Sequence, residues 1–196
     1  MKHLVQKQLA QSIATMQATL ADLHIADTVS TIAELTANAM LAGRKLMVAG
    51  NGGSAADAQH LVAEFVVRLV ENRPAMRAIA LTTDTSIITA GGNDFGFDCI
   101  FARQIEALGQ PGDVFLGIST SGNSPNILRG IQQAKEMNIT TIGFTGNGGG
   151  KMRGLCDHNV IIPSNVTMNI QECHLALEHI FCLAVEKFYL GDKSSD

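Results

Sequence analysis

His60 and Glu64 are four residues apart, a spacing that puts two side chains on one face of a helix. An imidazole and a carboxylate so placed can hold one metal ion or pass a proton between them and a ligand. A surface pair is the commoner use of this spacing. Here the pair follows the glycine-rich stretch AGNGGSA (Ala49–Ala55) and is flanked by apolar residues, which favours a pocket. A second group lies near the C-terminus in NIQECHLALEHIF, with Gln171, Glu172, His174, Glu178 and His179. His174 and Glu178 repeat the four-residue spacing, although a solvent face would hold them equally well. Gln171 and His179 stand about 12 Å apart along a straight helix at about 1.5 Å per residue. One ion can be shared by both only if the helix starts after Gln171 or if neighbouring subunits contribute.

The other chemistry is anion binding. In STSGNS, Ser119, Thr120, Ser121 and Ser124 bring four hydroxyls around one glycine, just ahead of a helix that starts near Pro125. A helix cap needs one hydroxyl. Four, beside free N–H groups and the positive end of a helix, suit a phosphate. The loop is not a nucleotide P-loop, because the Gly-Lys-Ser/Thr ending is absent. GNGGSA (Gly50–Ala55) is not a dinucleotide fingerprint either, since Ala55 stands where the third glycine belongs. Its glycines let a ligand approach the backbone, so Asn51, Gly52, Gly53 and Ser54 are expected to face a substrate. Gly148–Gly150 read as a flexible turn before a short helix, with no chemistry assigned.

Elements must position these groups. Leu9, Ile13, Met16, Leu20 and Leu23 recur at spacings of three and four and predict an amphipathic helix; a second runs over about Ser30–Leu41 and ends at Ala42-Gly43. Apolar strands are expected at Lys45–Ala49, Ala78–Leu81, Asp113–Ile118, Thr140–Phe144 and Asn159–Ile162. Helices are expected at about Ala55–Val70, Phe97–Leu108, Asn126–Met137 and Asn169–Tyr189. Continuously apolar strands that alternate with helices imply an α/β fold, a parallel sheet of about five strands covered on both faces. Such sheets bind ligands beyond the carboxyl ends of their strands, where the glycine and serine clusters fall. The whole chain, 1–196, reads as a single domain, with a helical extension over 1–43 and an α/β core over 44–190; the tail from Gly191 is expected to fray. The apolar faces of the two leading helices predict packing between subunits.

With 196 residues, 16% charged and a net charge of -4, the chain has no broad basic field, and no nucleic-acid partner is expected. The N-terminal helix is too interrupted by Lys, Gln and Ser for a signal peptide or membrane span, so no membrane partner is expected either. Cys99, Cys156, Cys173 and Cys182 form no CxxC pair, which suits reduced thiols in a cytoplasmic protein.

The combination of AGNGGSA, QHLVAE, GGNDFG (Gly91–Gly96), GDVFLGISTSGNS and IQECHLALEH resembles the bacterial phosphoheptose isomerases of the sugar isomerase (SIS) domain class. The resemblance runs from about Lys45 to Phe188. It implies a single SIS domain with a flavodoxin-like sheet, and an aldose–ketose isomerase acting on sedoheptulose 7-phosphate in heptose biosynthesis for lipopolysaccharide. It also implies that Asn51, Gly52, Gly53, Asn93 and Asp94 contact the sugar, and that Ser119, Thr120, Ser121 and Ser124 hold the phosphate. His60, Glu64, Gln171 and His179 match the zinc ligands, one zinc per subunit, with Glu64 and Gln171 also touching substrate. Glu64 and His179 match the catalytic acid–base pair, and the family assembles as a homotetramer with sites between subunits. One departure stands out: Asn169 occupies the place before Ile-Gln-Glu where the family pattern has Arg. Two alternatives share the fold, an isomerase for another phosphosugar and a non-enzymatic SIS protein that associates with the bacterial replication initiator. The latter lacks the matching Glu and second His, so Glu64 and His179 favour the enzyme.

Overall fold

The computed structural model describes residues 1–191, so the tail expected to fray lies outside the described residues from position 192 onward. Five parallel strands form one sheet: β1 (Leu46–Ala49), β2 (Ala78–Ala80), β3 (Val114–Ser119), β4 (Thr140–Thr145) and β5 (His158–Ile161). Their order is β2-β1-β3-β4-β5, the flavodoxin-like order expected from the resemblance. β1 and β3 are buried along their whole length, which explains why they read as unbroken apolar runs. β1 pairs with β2 on one side and with β3 on the other. Chain order reverses between β1 and β3, and the loops leaving their carboxyl ends part there. The two loops singled out in the sequence are these two.

Side chains alternate between the faces of the sheet. Leu46, Val48, Val114, Leu116 and Ile118 pack into one core with α2 (Leu23–Leu41), α3 (Gly53–Val66) and α7 (Thr167–Leu190). Met47, Ala49 and Phe115 face the opposite core, built on α5 (Ile100–Leu108) and α6 (Pro125–Glu136). α1 (Lys2–Ala21) lies outside both cores, with Thr19 its only buried residue. Asp22 ends α1 and caps α2, its carboxylate accepting the His24 N–H at 3.1 Å, so Leu23 starts the second helix instead of closing the first.

Two further boundaries differ from the sequence expectation. α3 ends at Val66, four residues early, at a β-branched pair that is a weak helix former. A helix at Thr85–Phe95, α4, was not expected, because two glycines and β-branched residues obscure it. Asp84 starts it by accepting the Ile87 N–H at 2.9 Å. None of its residues is buried.

Candidate active site

β1 runs into Gly50, where a Cβ would collide with the Ser54 carbonyl, and then into Gly52 at φ +57. Both positions need glycine for the chain to turn directly into α3. Asn51, between them, exchanges two hydrogen bonds with Asn126 on α6: its amide donates to Asn126 Oδ1 at 3.0 Å, and Asn126 donates back at 2.8 Å. Asn126 is buried, and this reciprocal pair locks the loop after β1 to the loop after β3. Sequence reading missed Asn126. Its position one residue past Pro125 at the mouth of the serine loop was the available signal.

In that loop Ser124 precedes α6, yet its side chain makes no capping bond. Its hydroxyl instead lies 2.9 Å from that of Ser119, which is 3.5 Å from Ser121 Oγ. Three hydroxyls therefore converge at the amino end of α6, whose first residue is Pro125 and which adds its partial positive charge. The helix-cap explanation for these serines fails on this geometry. The Thr120 carbonyl accepts the Gly146 N–H at 3.1 Å, which ties the loop to the end of β4.

His60 and Glu64 on α3 meet His179 on α7. The His60 and His179 Nε2 atoms are 2.8 Å apart, and Glu64 Oε1 is 3.5 Å from His60 Nε2. One donor atom from each of the three residues lies within 4.8 Å of the others. Two bare imidazole lone pairs at 2.8 Å would repel, so the geometry calls for a proton or a cation between them. His60 is exposed while Glu64 and His179 are half-buried, so the group opens toward solvent on one side. Three ligands with an open position is the pattern of a catalytic metal site, and this donor set fits a divalent cation.

Gln171 lies four residues inside α7, so the helix does not start after it. Its amide sits at the entrance to α3: a Cβ on Gly53 would be 2.6 Å from Gln171 Nε2. Helical side chains lean toward the amino end, so His179 leans toward Gln171 while Gln171 leans away from it. Asn93 and Asp94 are exposed on α4 and bond to each other, Asn93 donating to Asp94 Oδ1 at 2.8 Å. Among the described residues neither is hydrogen-bonded to the two loops or to the His–Glu–His group.

The neighbours of the group on α7 are buried and polar. Glu178 has neither carboxylate oxygen hydrogen-bonded, and burial, then the charge of Asp57, push its carboxyl up to about 8. The shift favours its protonated form. Asn169 is buried and donates to Ser12 Oγ at 3.1 Å, so this residue ties the start of α7 to α1.

Residues 9–146 match the sequence profile of the SIS domain. A phosphoheptose isomerase from Burkholderia pseudomallei is 50% identical over 187 residues, 95% of each chain. Among solved structures, the phosphoheptose isomerase of Neisseria gonorrhoeae superposes with a TM-score of 0.89 at 39% identity, covering 95% of this chain and 98% of that one. That of Francisella tularensis gives 0.90 at 33% identity, covering 94% and 97%. The chain belongs to the phosphoheptose isomerase family.

Membership bears out the resemblance and the fold drawn from it. Within a phosphoheptose isomerase fold, the switch between β1 and β3 brings Asn51, through Asn126, beside the serine loop. The meeting of α3 and α7 forms the His–Glu–His group. No helix among the described residues is long and apolar enough to cross a membrane.

Proposed function

We propose that the protein converts D-sedoheptulose 7-phosphate to D-glycero-D-manno-heptose 7-phosphate, the first step toward nucleotide-activated heptose for lipopolysaccharide. The observation that carries this reading is the meeting of Glu64 and His179 with His60, from two different helices, in a fold that also holds a hydroxyl-lined loop. Phosphate at one end of the sugar supplies position. Ser119, Thr120, Ser121 and Ser124 would hold it, with Asn51, Gly52, Gly53, Asn93, Asp94 and Gln171 along the sugar.

Ketose-to-aldose conversion moves one proton from C1 to C2 and one from the C1 oxygen to the C2 oxygen. The Glu64 carboxylate takes the C1 proton and returns it to C2. The His179 imidazole carries the proton between the two oxygens. His60, Glu64 and His179 are the proposed ligands of one zinc per subunit, with Gln171 as the proposed fourth, which its position inside α7 allows only where a neighbouring subunit contributes. Bound there, zinc would supply Lewis-acid polarisation of the carbonyl. A homotetramer is the proposed assembly and the cytoplasm the proposed compartment, since a charged sugar phosphate does not cross a bilayer unaided.

Glu64→Gln keeps size and removes the base, and His179→Asn removes the imidazole. Each is expected to lower kcat by about 10²–10⁴-fold, the usual cost of losing a general acid or base, while calorimetry still detects phosphosugar binding. Wild type that shows no isomerisation with zinc supplied, or variants that match it, would transfer the assignment to a non-enzymatic SIS protein.

A further inference from the structure

α3 carries Glu64 and stops two residues later, which leaves the carbonyls of its last turn without helical partners. Arg73, on the segment returning from the helix, supplies donors. Its Nη2 donates to the Glu64 carbonyl at 2.8 Å, and its Nη1 to the Phe65 carbonyl at 2.8 Å and the Pro74 carbonyl at 3.3 Å. Its Nε donates to Glu186 Oε1 on α7 at 2.8 Å. Glu186 also accepts the N–H groups of Val70 at 3.3 Å and Glu71 at 3.2 Å. The two side chains are 2% and 1% exposed.

A buried ion pair is weak evidence for stability, because desolvation offsets much of the attraction. What this pair does is geometric. Glu186 lies seven residues beyond His179, two turns along the same face of α7. The guanidinium therefore grips the backbone of Glu64 with one edge and, with the other, the helix that carries His179. Only a planar fork of fixed donors can span both. We infer that Arg73 and Glu186 are positioning residues that set the distance between the Glu64 carboxylate and the His179 imidazole. The inference rests on the isomerase reading of the same site.

Arg73→Lys keeps the charge but offers a point donor in place of the fork, and Glu186→Gln weakens the other half. Each should lower kcat for sedoheptulose 7-phosphate tenfold or more with KM within about twofold, since the serine loop belongs to β3 and α6. Cobalt(II) titrated into the metal-free protein should bind about 10–100-fold more weakly, the usual cost of losing support around a ligand set, with an altered d–d spectrum. The double variant should lose no more than the worse single one, because the pair acts as a unit. Ile105→Ala, in the core on the opposite face of the sheet, supplies a destabilised control that keeps wild-type kcat below its Tm. If Arg73→Lys does not fold, Glu186→Gln carries the test with both readouts. Folded variants with wild-type kcat and cobalt affinity overturn the inference. A wild type that binds cobalt and turns over no phosphosugar overturns the isomerase reading instead, and the cobalt titrations then still decide the clamp.

Discussion

An imidazole sealed from water takes its tautomer from what it touches. His174 has no exposed surface, and its Nε2 lies 3.0 Å from the Thr145 carbonyl, which can only accept. The proton is therefore on Nε2, and Nδ1 is bare and without a partner. Burial holds the pKa down at about 4 against an ordinary 6.5, with the Thr145 carbonyl pulling weakly the other way. Among the described residues, Glu178, one turn on, is pushed up to about 8 and offers little negative charge to a charged ring in the acid range, and Phe144 packs beside the imidazole. With the folded pKa below the unfolded one, the unfolded chain takes up a proton that the folded chain refuses. The His174 contribution to stability should therefore fall as pH drops from 6.5 toward 4, by about 1.4 kcal/mol per unit and about 3 kcal/mol in all, against the opposite slope that the raised Glu178 carboxyl contributes. His174→Gln keeps an N–H for the carbonyl and removes the titration. Urea denaturation over this pH range, with chelator present so that the metal site does not contribute, should show the variant gaining about 3 kcal/mol relative to wild type as pH drops from 6.5 to 4. An unchanged slope would show that burial is not what keeps the ring neutral.

At the scale of elements, the triple glycine that suggested no chemistry in the sequence is a support for the serine loop. Gly122 is left-handed, at φ +64, and packs so tightly that a Cβ would collide with the Gly149 carbonyl; a Cβ on Gly150 would collide with the Ser121 carbonyl. The Lys151 N–H donates to Asn123 Oδ1 at 3.1 Å and the Met152 N–H to the Gly122 carbonyl at 3.1 Å. Gly150→Ala should displace the loop, raise KM for the phosphosugar about tenfold and leave kcat within about twofold, as expected for contacts equally strong in ground and transition states. Gly148→Ala is the contrast: φ is +73, but nothing lies within 4 Å of the new Cβ. It should cost about 1–2 kcal/mol in backbone strain and leave KM unchanged. Equal KM effects in the two variants would refute the support role. The central strands β1, β3 and β4 were legible because burial on both faces forces unbroken apolar runs, and the serine loop because four hydroxyls exceed what a cap uses. What escaped depends on distant partners. α3 stops where Arg73, held by Glu186, donates to its last carbonyls, Asn126 has meaning only opposite Asn51, and the triple glycine has meaning only against Gly122. For the His60–Glu64–His179 group, helical spacing gave the first two and the resemblance named the third, but only the packing of α3 on α7 brings the three together.

For the whole molecule, the question is what covers the surface this chain leaves apolar. α1 is 20 residues long with one buried residue, while Leu9, Ile13, Met16 and Leu20 are 43–82% exposed along it. A helix with so little tertiary packing is marginal in water. Beside it an apolar groove of about 380 Å³ runs between Met16, Leu20, Val29, Leu177 and Ile180. α4 buries nothing, and its Asn93 and Asp94 are exposed and bonded to each other. The proposed homotetramer with shared sites would account for all three features: the leading helices would pack between subunits, and α4 of one copy would complete the site of another. Leu9→Lys with Ile13→Lys tests this, because both residues are exposed in the single chain and lysine there should change its own stability by less than about 0.5 kcal/mol. In an interface the same two charges would be buried without partners. Sedimentation velocity should show wild type as a tetramer and the double variant as smaller species with near-native circular dichroism. Turnover per chain should fall with the tetramer fraction and recover at high protein concentration. A wild type that sediments as a monomer while fully active would refute both the assembly and the shared site.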